Sequence, residues 1–505
     1  MGSAVIIGGG LGGLFTGAIL SREGVEVTVI EKNATIGGGL QSFTRGGVTF
    51  DTGMHIVGGL GPDGNIRKIC RYLGIEGQME IRDTGSECNE SVYIAKDGIR
   101  YDLRKGRDGF IDSISAHFPA ERENIARYTD AMLAMADSID LYNIRPSRSL
   151  TPAIPPDGLM AASDFIASHT RNERLRGLLA YIAPRYGGLA GVTPAYVHCL
   201  INVLFIRGGS RFVGGSHRFA DLLRGVIEKS GGKVTTSDAA TRIETEDRHI
   251  TAIATQKGER LTADWYISSI HPCALLSLMD EKALPKAFRT RIGEAGNSYS
   301  AFSVFIKLKE HSFRYIDHPE YYISNGGDAW SIGDGSPDWP KGFLFMTPPD
   351  DTQGEWARRA QLTAPMPFAD TAKWEGTTSG RRGAEYEDWK KEMTRRVLEK
   401  AETMHPGLSA SIEAAWAASP LTIRDYYGAK DGTMYGFVKD CRNMAATQLP
   451  VATKIDNLLL TGQCVNLHGF CGVPLTAIST AEAILGRDAV TDKINGAARR
   501  QSNQC

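Results

Sequence analysis

Three glycines spaced Gly8-x-Gly10-x-x-Gly13 constrain this chain more than any other feature, because of what flanks them. Ala4-Val5-Ile6-Ile7 is an apolar run of strand length, a helix is expected from about Leu14 to Ser21, and Val25 to Ile30 reads as a second strand closed by Glu31. Strand, tight turn, helix and strand make the opening unit of a parallel α/β sheet. In that unit Gly8 makes the turn, Gly10 lets backbone come close to a pyrophosphate, and Gly13 lets the helix pack on the strand. Leu11 and Gly12 sit where the helix begins, and its free N–H groups and positive dipole end suit phosphate oxygens. Glu31, followed by Lys32, is placed to accept hydrogen bonds from ribose hydroxyls. The unit predicts dinucleotide binding; the plainer alternative is a glycine-rich turn in an ordinary α/β protein.

Glycine is also the one compositional outlier, 57 of 505 residues against a usual ~7%. The charge balance of −1 gives no electrostatic case for a nucleic-acid partner. Eight scattered cysteines form no C-x-x-C pair, so neither a metal nor a disulfide framework is expected and a reduced, cytoplasmic setting is. The apolar start meets glycines at once, unlike a signal peptide. No apolar run reaches the ~18 residues of a spanning helix, which still leaves room for peripheral membrane contact.

Along the chain the glycine-rich stretches alternate with helical and mixed ones. Longer amphipathic segments are expected between Asn65 and Ile201, for example Asp130 to Leu141 and Met160 to His169, with a Pro-rich interruption from Arg145 to Gly158. The α/β pattern returns at Gly214-Gly215, with a helix from about Phe219 to Lys229 and strands near Thr241 to Glu244, Ile250 to Thr255 and Trp265 to Ser269. A strand over Phe302 to Ile306 and a helix over Tyr386 to Glu402 follow, and the polar interval Gln353 to Gly383 reads as a long loop. Asn457 to Gly462 is a last buried strand, and a helix is expected from Pro474 to Leu485, with Pro474 in its first turn. This pattern predicts a discontinuous nucleotide-binding domain over 1–75, 206–272 and 420–490, an interleaved α+β substrate domain over 76–205 and 273–419, and a tail over 491–505.

The segments after the fingerprint narrow the reading. Glu31-x5-Gly37-Gly38 followed by Phe50-Asp51-Thr52-Gly53 resembles flavoproteins of the amine oxidase and phytoene desaturase superfamily. Phe50-Asp51-Thr52-Gly53-Met54-His55-Ile56-Val57-Gly58 is similar to a segment of all-trans-retinol saturases and their bacterial relatives. Ser419-Pro420-Leu421-Thr422 with Gly432, Tyr435 and Gly436 is similar to a segment of carotenoid isomerases and phytoene desaturases. Gly462-Gln463 and Gly472-Val473-Pro474-Leu475 resemble the group's C-terminal flavin signature. The likeness runs from residue 5 to about 486. It implies a Rossmann-like FAD-binding domain of glutathione-reductase and amine-oxidase type, with FAD as cofactor. It further implies cofactor contacts from Gly37, Gly38, Gly39, Leu40, Gly53, Met54, His55, Ala240, Ser268, Gly462, Gln463, Gly472, Val473, Pro474 and Leu475. Three positions depart from the common pattern: Gly39 stands where Arg is frequent, Gln463 where an acid is frequent, and Ala240 where Val is frequent.

The same resemblance implies saturation, desaturation or isomerisation of a C=C bond in a hydrophobic polyene or isoprenoid-type substrate. No second G-x-G-x-x-G of comparable quality stands in the sequence, so NAD(P)H, if used, is expected to visit transiently, and quinone or oxygen is equally open as acceptor. His55, His468 and Tyr435 are the candidates for proton movement or substrate positioning, each with a plain packing role as its alternative. Aromatic residues Tyr181, Tyr186, Tyr196 and Phe205 read as core more readily than as pocket. Amine-oxidising relatives place a Lys under the flavin; Ser300 or Ala301 stands there in this chain, which argues against amine oxidation. A non-catalytic prenyl-binding protein of the GDP-dissociation-inhibitor type is the alternative from another class.

Overall fold

A computed structural model describes residues 2–53, 56–147, 153–352 and 354–502. At its centre the strand Ser3–Ile7 pairs in parallel with Glu26–Ile30 on one side and with Trp265–Ser268 on the other; Lys233–Thr235 and Leu458–Leu460 complete a five-stranded parallel sheet. Ile7 faces both Ile30 and Ser268 in register, so three strands end at one level. Ligand crevices in such sheets lie beyond these carboxyl ends. The helix Leu11–Arg22 has every residue from Leu11 to Ser21 buried, because it packs against the helices His217–Lys229 and Gly469–Leu485 as well as the sheet. Gly13 is obligatory here: a Cβ at that position would lie 2.0 Å from the Gly8 carbonyl oxygen.

The second layer is a seven-stranded sheet in the order Ile412–Ala418, Ser300–Leu308, Arg359–Met366, Gly342–Met346, Glu320–Ile323, Glu90–Ile94 and Ile99–Leu103, antiparallel except where Glu320–Ile323 meets Glu90–Ile94. Its strands alternate as a pleated sheet must. Phe302, Val304, Leu362 and Ala364 pack with Val397, Ala401 and Met404 of the helix Ala384–Met404, while Ala301, Ser303, Thr363 and Pro365 turn to the opposite face and line a cavity. Helices Arg107–Ser115, Arg122–Ser138, Ala162–His169, Glu173–Leu179 and Ala195–Ile206 close the far side.

The α/β class and the interleaved second sheet agree with expectation. The loop expected over Gln353 to Gly383 is corrected: Arg359–Met366 is an interior strand, and its polar residues misled the reading because each meets a partner outside the strand. Arg359 is buried, pairs with Asp350 at 3.0 Å and donates to the Pro349 carbonyl at 2.8 Å; Gln361 donates to the Asp51 carbonyl at 2.6 Å. The helix expected over Asp130 to Leu141 lies at Arg122–Ser138, ending before the β-region residue Ile139. The helix of Pro474 also starts earlier, at Gly469, and Pro474 is inside it rather than in its first turn. The run Gly469-Phe470-Cys471-Gly472, with two glycines, carries little helical signal of its own, and burial against Leu11–Arg22 overrides it. Among the described residues no single helix is long and apolar enough to cross a membrane.

Candidate active site

One cavity of about 550 Å³ runs from the first glycine turn to the face of the seven-stranded sheet. Gly8, Gly10, Leu11, Gly12, Glu31, Lys32, Ala240 and Ser268 line its first end. Gly38, Gly39, Thr52, Gly53, Gly462, Gln463, His468 and Val473 line its middle, and Tyr181, Arg185, Phe205, Tyr321 and Leu344 its far end. Two helices begin at the wall. The helix Leu11–Arg22 is capped by Gly10 and the helix Gly469–Leu485 by His468, neither has an acid in its first turn, and Leu11, Gly12, Gly469, Phe470 and Cys471 all line the cavity. The first N–H groups of each helix have no intrahelical acceptor and a positive dipole end behind them, so both ends suit anionic or electron-rich groups.

The dinucleotide assignment meets its test at Gly10 and Glu31. A Cβ at Gly10 would meet nothing closer than the Gly38 Cα at 3.9 Å, so the backbone there is bare toward the cavity. The Gly37 N–H donates to the Gly9 carbonyl at 2.7 Å, which ties the second glycine turn to the first. Glu31 is buried; its Oε2 accepts from the Gly9 N–H and its Oε1 from the Asn33 N–H, both at 2.8 Å. Each oxygen keeps a lone pair beyond these bonds. The buried hydroxyl of Ser268 has no protein partner. A bare glycine floor, an anchored carboxylate and an unsatisfied hydroxyl together fit a dinucleotide.

Six of the expected cofactor residues do not reach the cavity. Gly13 and Gly37 support the turns, Leu40 and Leu475 are fully buried, Gly472 packs against Leu467 so closely that a Cβ would lie 2.4 Å from the Leu467 Cβ, and Pro474 is interior to its helix. Met54 and His55 lie outside the described residues. Asp51, in the same segment, is structural: its Oδ1 accepts from Ser42 Oγ at 2.7 Å and from the N–H and Oγ of Ser216 at 2.7 and 2.9 Å.

His468 and Tyr435 meet at the wall with ring centroids 5.3 Å apart. Burial pushes the His468 imidazole down to about 3, with the Lys439 charge adding to the effect, and its Nε2 has no protein partner. His468 is therefore neutral over the physiological range; the expectation of a proton moved near an ordinary histidine pKa is corrected to a hydrogen-bonding role. The Tyr435 hydroxyl donates to the Pro184 carbonyl at 3.0 Å, and burial pushes its pKa upward, so it is an anchored wall. Lys439, itself buried, is lowered to about 8.

Of the aromatic residues read as core, Tyr181 and Phe205 line the cavity and Tyr186 and Tyr196 do not. Sequence reasoning missed Arg185. It sits in a short 3₁₀ turn, Ala183–Tyr186, after the apolar run Leu178 to Pro184, and a charge at the end of so apolar a run is the signal that could have found it. The cavity lines up Ala301 and Ser303 on the strand Ser300–Leu308, and no lysine of that strand faces it.

Comparison with known proteins gives a consistent result. The model of the family described as "Flavin containing amine oxidoreductase" matches residues 11–485. The all-trans-retinol 13,14-reductase of Rattus norvegicus is 25% identical, over 97% of this chain and 86% of the relative. The 4,4'-diaponeurosporene oxygenase of Staphylococcus haemolyticus is 24% identical, over 97% of this chain and 96% of the relative. An oxidoreductase from Methanosarcina mazei has the same fold, with a TM-score of 0.65 at 17% identity over 95% of this chain and all of that one.

Proposed function

The chain belongs to the family of flavin containing amine oxidoreductases, and from that premise we propose that it saturates, desaturates or isomerises a C=C bond of an apolar, polyene or isoprenoid-type substrate. FAD is the cofactor: the family carries flavin, and the fingerprint, glycine floor and Glu31 are those of a dinucleotide site. In this reading 1–75, 206–272 and 420–490 hold the cofactor and 76–205 with 273–419 hold the substrate. The names of the rat and staphylococcal relatives refer to a retinol and a diaponeurosporene, which supports a long apolar substrate here.

The observation that carries the reading is the continuity of the cavity: it passes without a break from the dinucleotide turn to an aromatic, largely apolar end. A bound flavin supplies two-electron hydride chemistry. The chain's own residues do the rest. Glu31 holds ribose hydroxyls, and the N–H groups around Gly10 to Gly12 hold phosphates. The start of Gly469–Leu485 and the Gln463 amide face electron-rich edges, the neutral His468 offers or accepts a hydrogen bond, and Tyr435, Phe205 and Tyr321 keep water from the reacting carbons. The electron partner is a transiently bound NAD(P)H or a quinone. The exposed Leu159 and Met160 are where a cytoplasmic protein would touch a membrane to collect an insoluble substrate.

The test is an anaerobic titration of the purified protein. Flavin absorbance near ~450 nm should bleach with NADPH, NADH or dithionite and return when all-trans-retinol or a carotenoid is added, with a matching change in the polyene spectrum. Bleaching of the oxidised flavin by primary amines, with no polyene either reducing it or reoxidising its reduced form, would refute the proposal.

A further inference from the structure

The far end of the cavity holds a buried cation with unused donors. The Arg185 side chain is about nine-tenths buried, lines the cavity, and stacks on Phe205 with its guanidinium carbon 3.7 Å from the ring centroid. Its Nη2 lies 2.8 Å from Glu90 Oε1 as an ion pair, while Nε and Nη1 are buried with no hydrogen-bond partner. Glu90 accepts from Tyr181 on Oε2 at 2.6 Å and from Tyr321 on Oε1 at 3.4 Å, which leaves it fewer free lone pairs than Arg185 has N–H groups. The cluster therefore has more donors than acceptors. Buried N–H groups rarely stay unpaired, and an acceptor is missing here.

Resting on the polyene reading above, we propose that Arg185 is the specificity residue that takes a neutral oxygen, hydroxyl or carbonyl, at the end of the apolar substrate. The charge balance selects neutral oxygen. Arg185 is already compensated by Glu90, so a carboxylate would bring an uncompensated negative charge into the wall beside it. A hydrocarbon would leave the donors unsatisfied. An alcohol or carbonyl meets both conditions.

The experiment uses the FAD-loaded protein and three probes sharing one conjugated chain: all-trans-retinol, all-trans-retinoic acid, and the hydrocarbon with methyl in place of the CH₂OH group. Dissociation constants are read from perturbation of the flavin absorbance. Retinol should bind about 10- to 100-fold tighter than the hydrocarbon, the range for a site with buried donors that a ligand leaves unpaired, and also tighter than the acid. In the charge-balanced double variant Arg185→Met with Glu90→Gln, retinol should fall to within about threefold of the hydrocarbon while hydrocarbon affinity and flavin content hold. If that variant retains no flavin, Arg185→Lys, which keeps the charge and loses the planar fork, must weaken retinol selectively. Equal binding of retinol and hydrocarbon, tighter binding of the acid, or equal loss of both neutral probes in the variants overturns the assignment alone. Binding of none of the three overturns the polyene reading itself and the assignment with it.

Discussion

Gly10→Val separates cofactor binding from folding. The Gly10 backbone is extended, with φ −78° and ψ −176°, a conformation open to any residue, and the new Cβ finds no atom closer than 3.9 Å. As a helix N-cap, valine is worse than glycine by about 1 kcal/mol, so the protein without flavin should lose no more than that. The side chain would, however, stand in the space between the first and second glycine turns, where the pyrophosphate must approach the N–H groups. Each charge-assisted hydrogen bond there is worth about 1.5–3 kcal/mol; loss of two weakens FAD by about 10²- to 10⁴-fold. The assay is the flavin-to-protein ratio after purification, followed by titration of the stripped protein with FAD and thermal unfolding of the stripped form. Gly13→Ala is the control of opposite character: its Cβ would lie 2.0 Å from the Gly8 oxygen, so it should destabilise the stripped protein by at least about 3 kcal/mol. A Gly10→Val protein that binds FAD with native affinity would refute the placement of the phosphates.

Glu31→Ala removes the acceptor for two backbone N–H groups as well as the ribose contact, and should weaken FAD by about 10- to 100-fold while lowering the unfolding midpoint of the stripped protein; titration and calorimetry check both. Asp51→Ala strips three hydrogen bonds, two from Ser216 and one from Ser42, and should cost about 2–4 kcal/mol in denaturant unfolding. Burial holds His198 and His468 at about 3 and His271 at about 4, all below the unfolded value near ~6.5. Below that value the unfolded chain binds protons that the native one refuses, so stability is full above ~6.5 and falls as pH drops toward 4, by up to about 1.4 kcal/mol per pH unit for each histidine. His468→Gln should flatten that slope in a pH series of unfolding midpoints, and an unchanged slope would show that His468 is charged in the native state.

What the sequence revealed was what is local in it. The turn from Gly8 to Gly13, the strand that ends at Glu31 and the buried strand Leu458–Leu460 each carry their signal within a dozen residues, and they locate half of the cavity wall. The missed features depend on partners far away in the chain. Arg359–Met366 reads as polar until Asp350 and the carbonyls of Pro349 and Asp51 are seen to meet its side chains. Arg185 gains its meaning from Glu90 and Phe205. Pro474 pointed to a helix start because proline favours one, yet packing against Leu11–Arg22 carries the helix back to Gly469 and moves its N–H groups to Phe470 and Cys471. Tyr181 and Tyr186, five residues apart in one apolar stretch, diverge because only the first turns toward Glu90.

The charge pattern of the wall bears on why a chain in an amine oxidoreductase family need not oxidise amines. An alkylammonium taken from water into a site of this depth costs several kcal/mol unless a carboxylate meets it. Among the described residues Glu31 is the one acid that lines the cavity, and it stands at the fingerprint end, engaged by two backbone N–H groups. At the other end Glu90 is turned away behind Tyr181 and Tyr321, and the charge presented is the positive one of Arg185. A substrate cation would find Glu90 already paired with Arg185 and no free carboxylate among the described residues facing it at that end. Ala301 and Ser303 on the strand below add no lysine to serve amine chemistry. An uncharged, apolar substrate meets none of these penalties: it buries against Phe205, Tyr321 and Leu344 at about 25 cal/mol per Å², and its reacting carbons can lie beside His468 and Tyr435 without a charge being stranded.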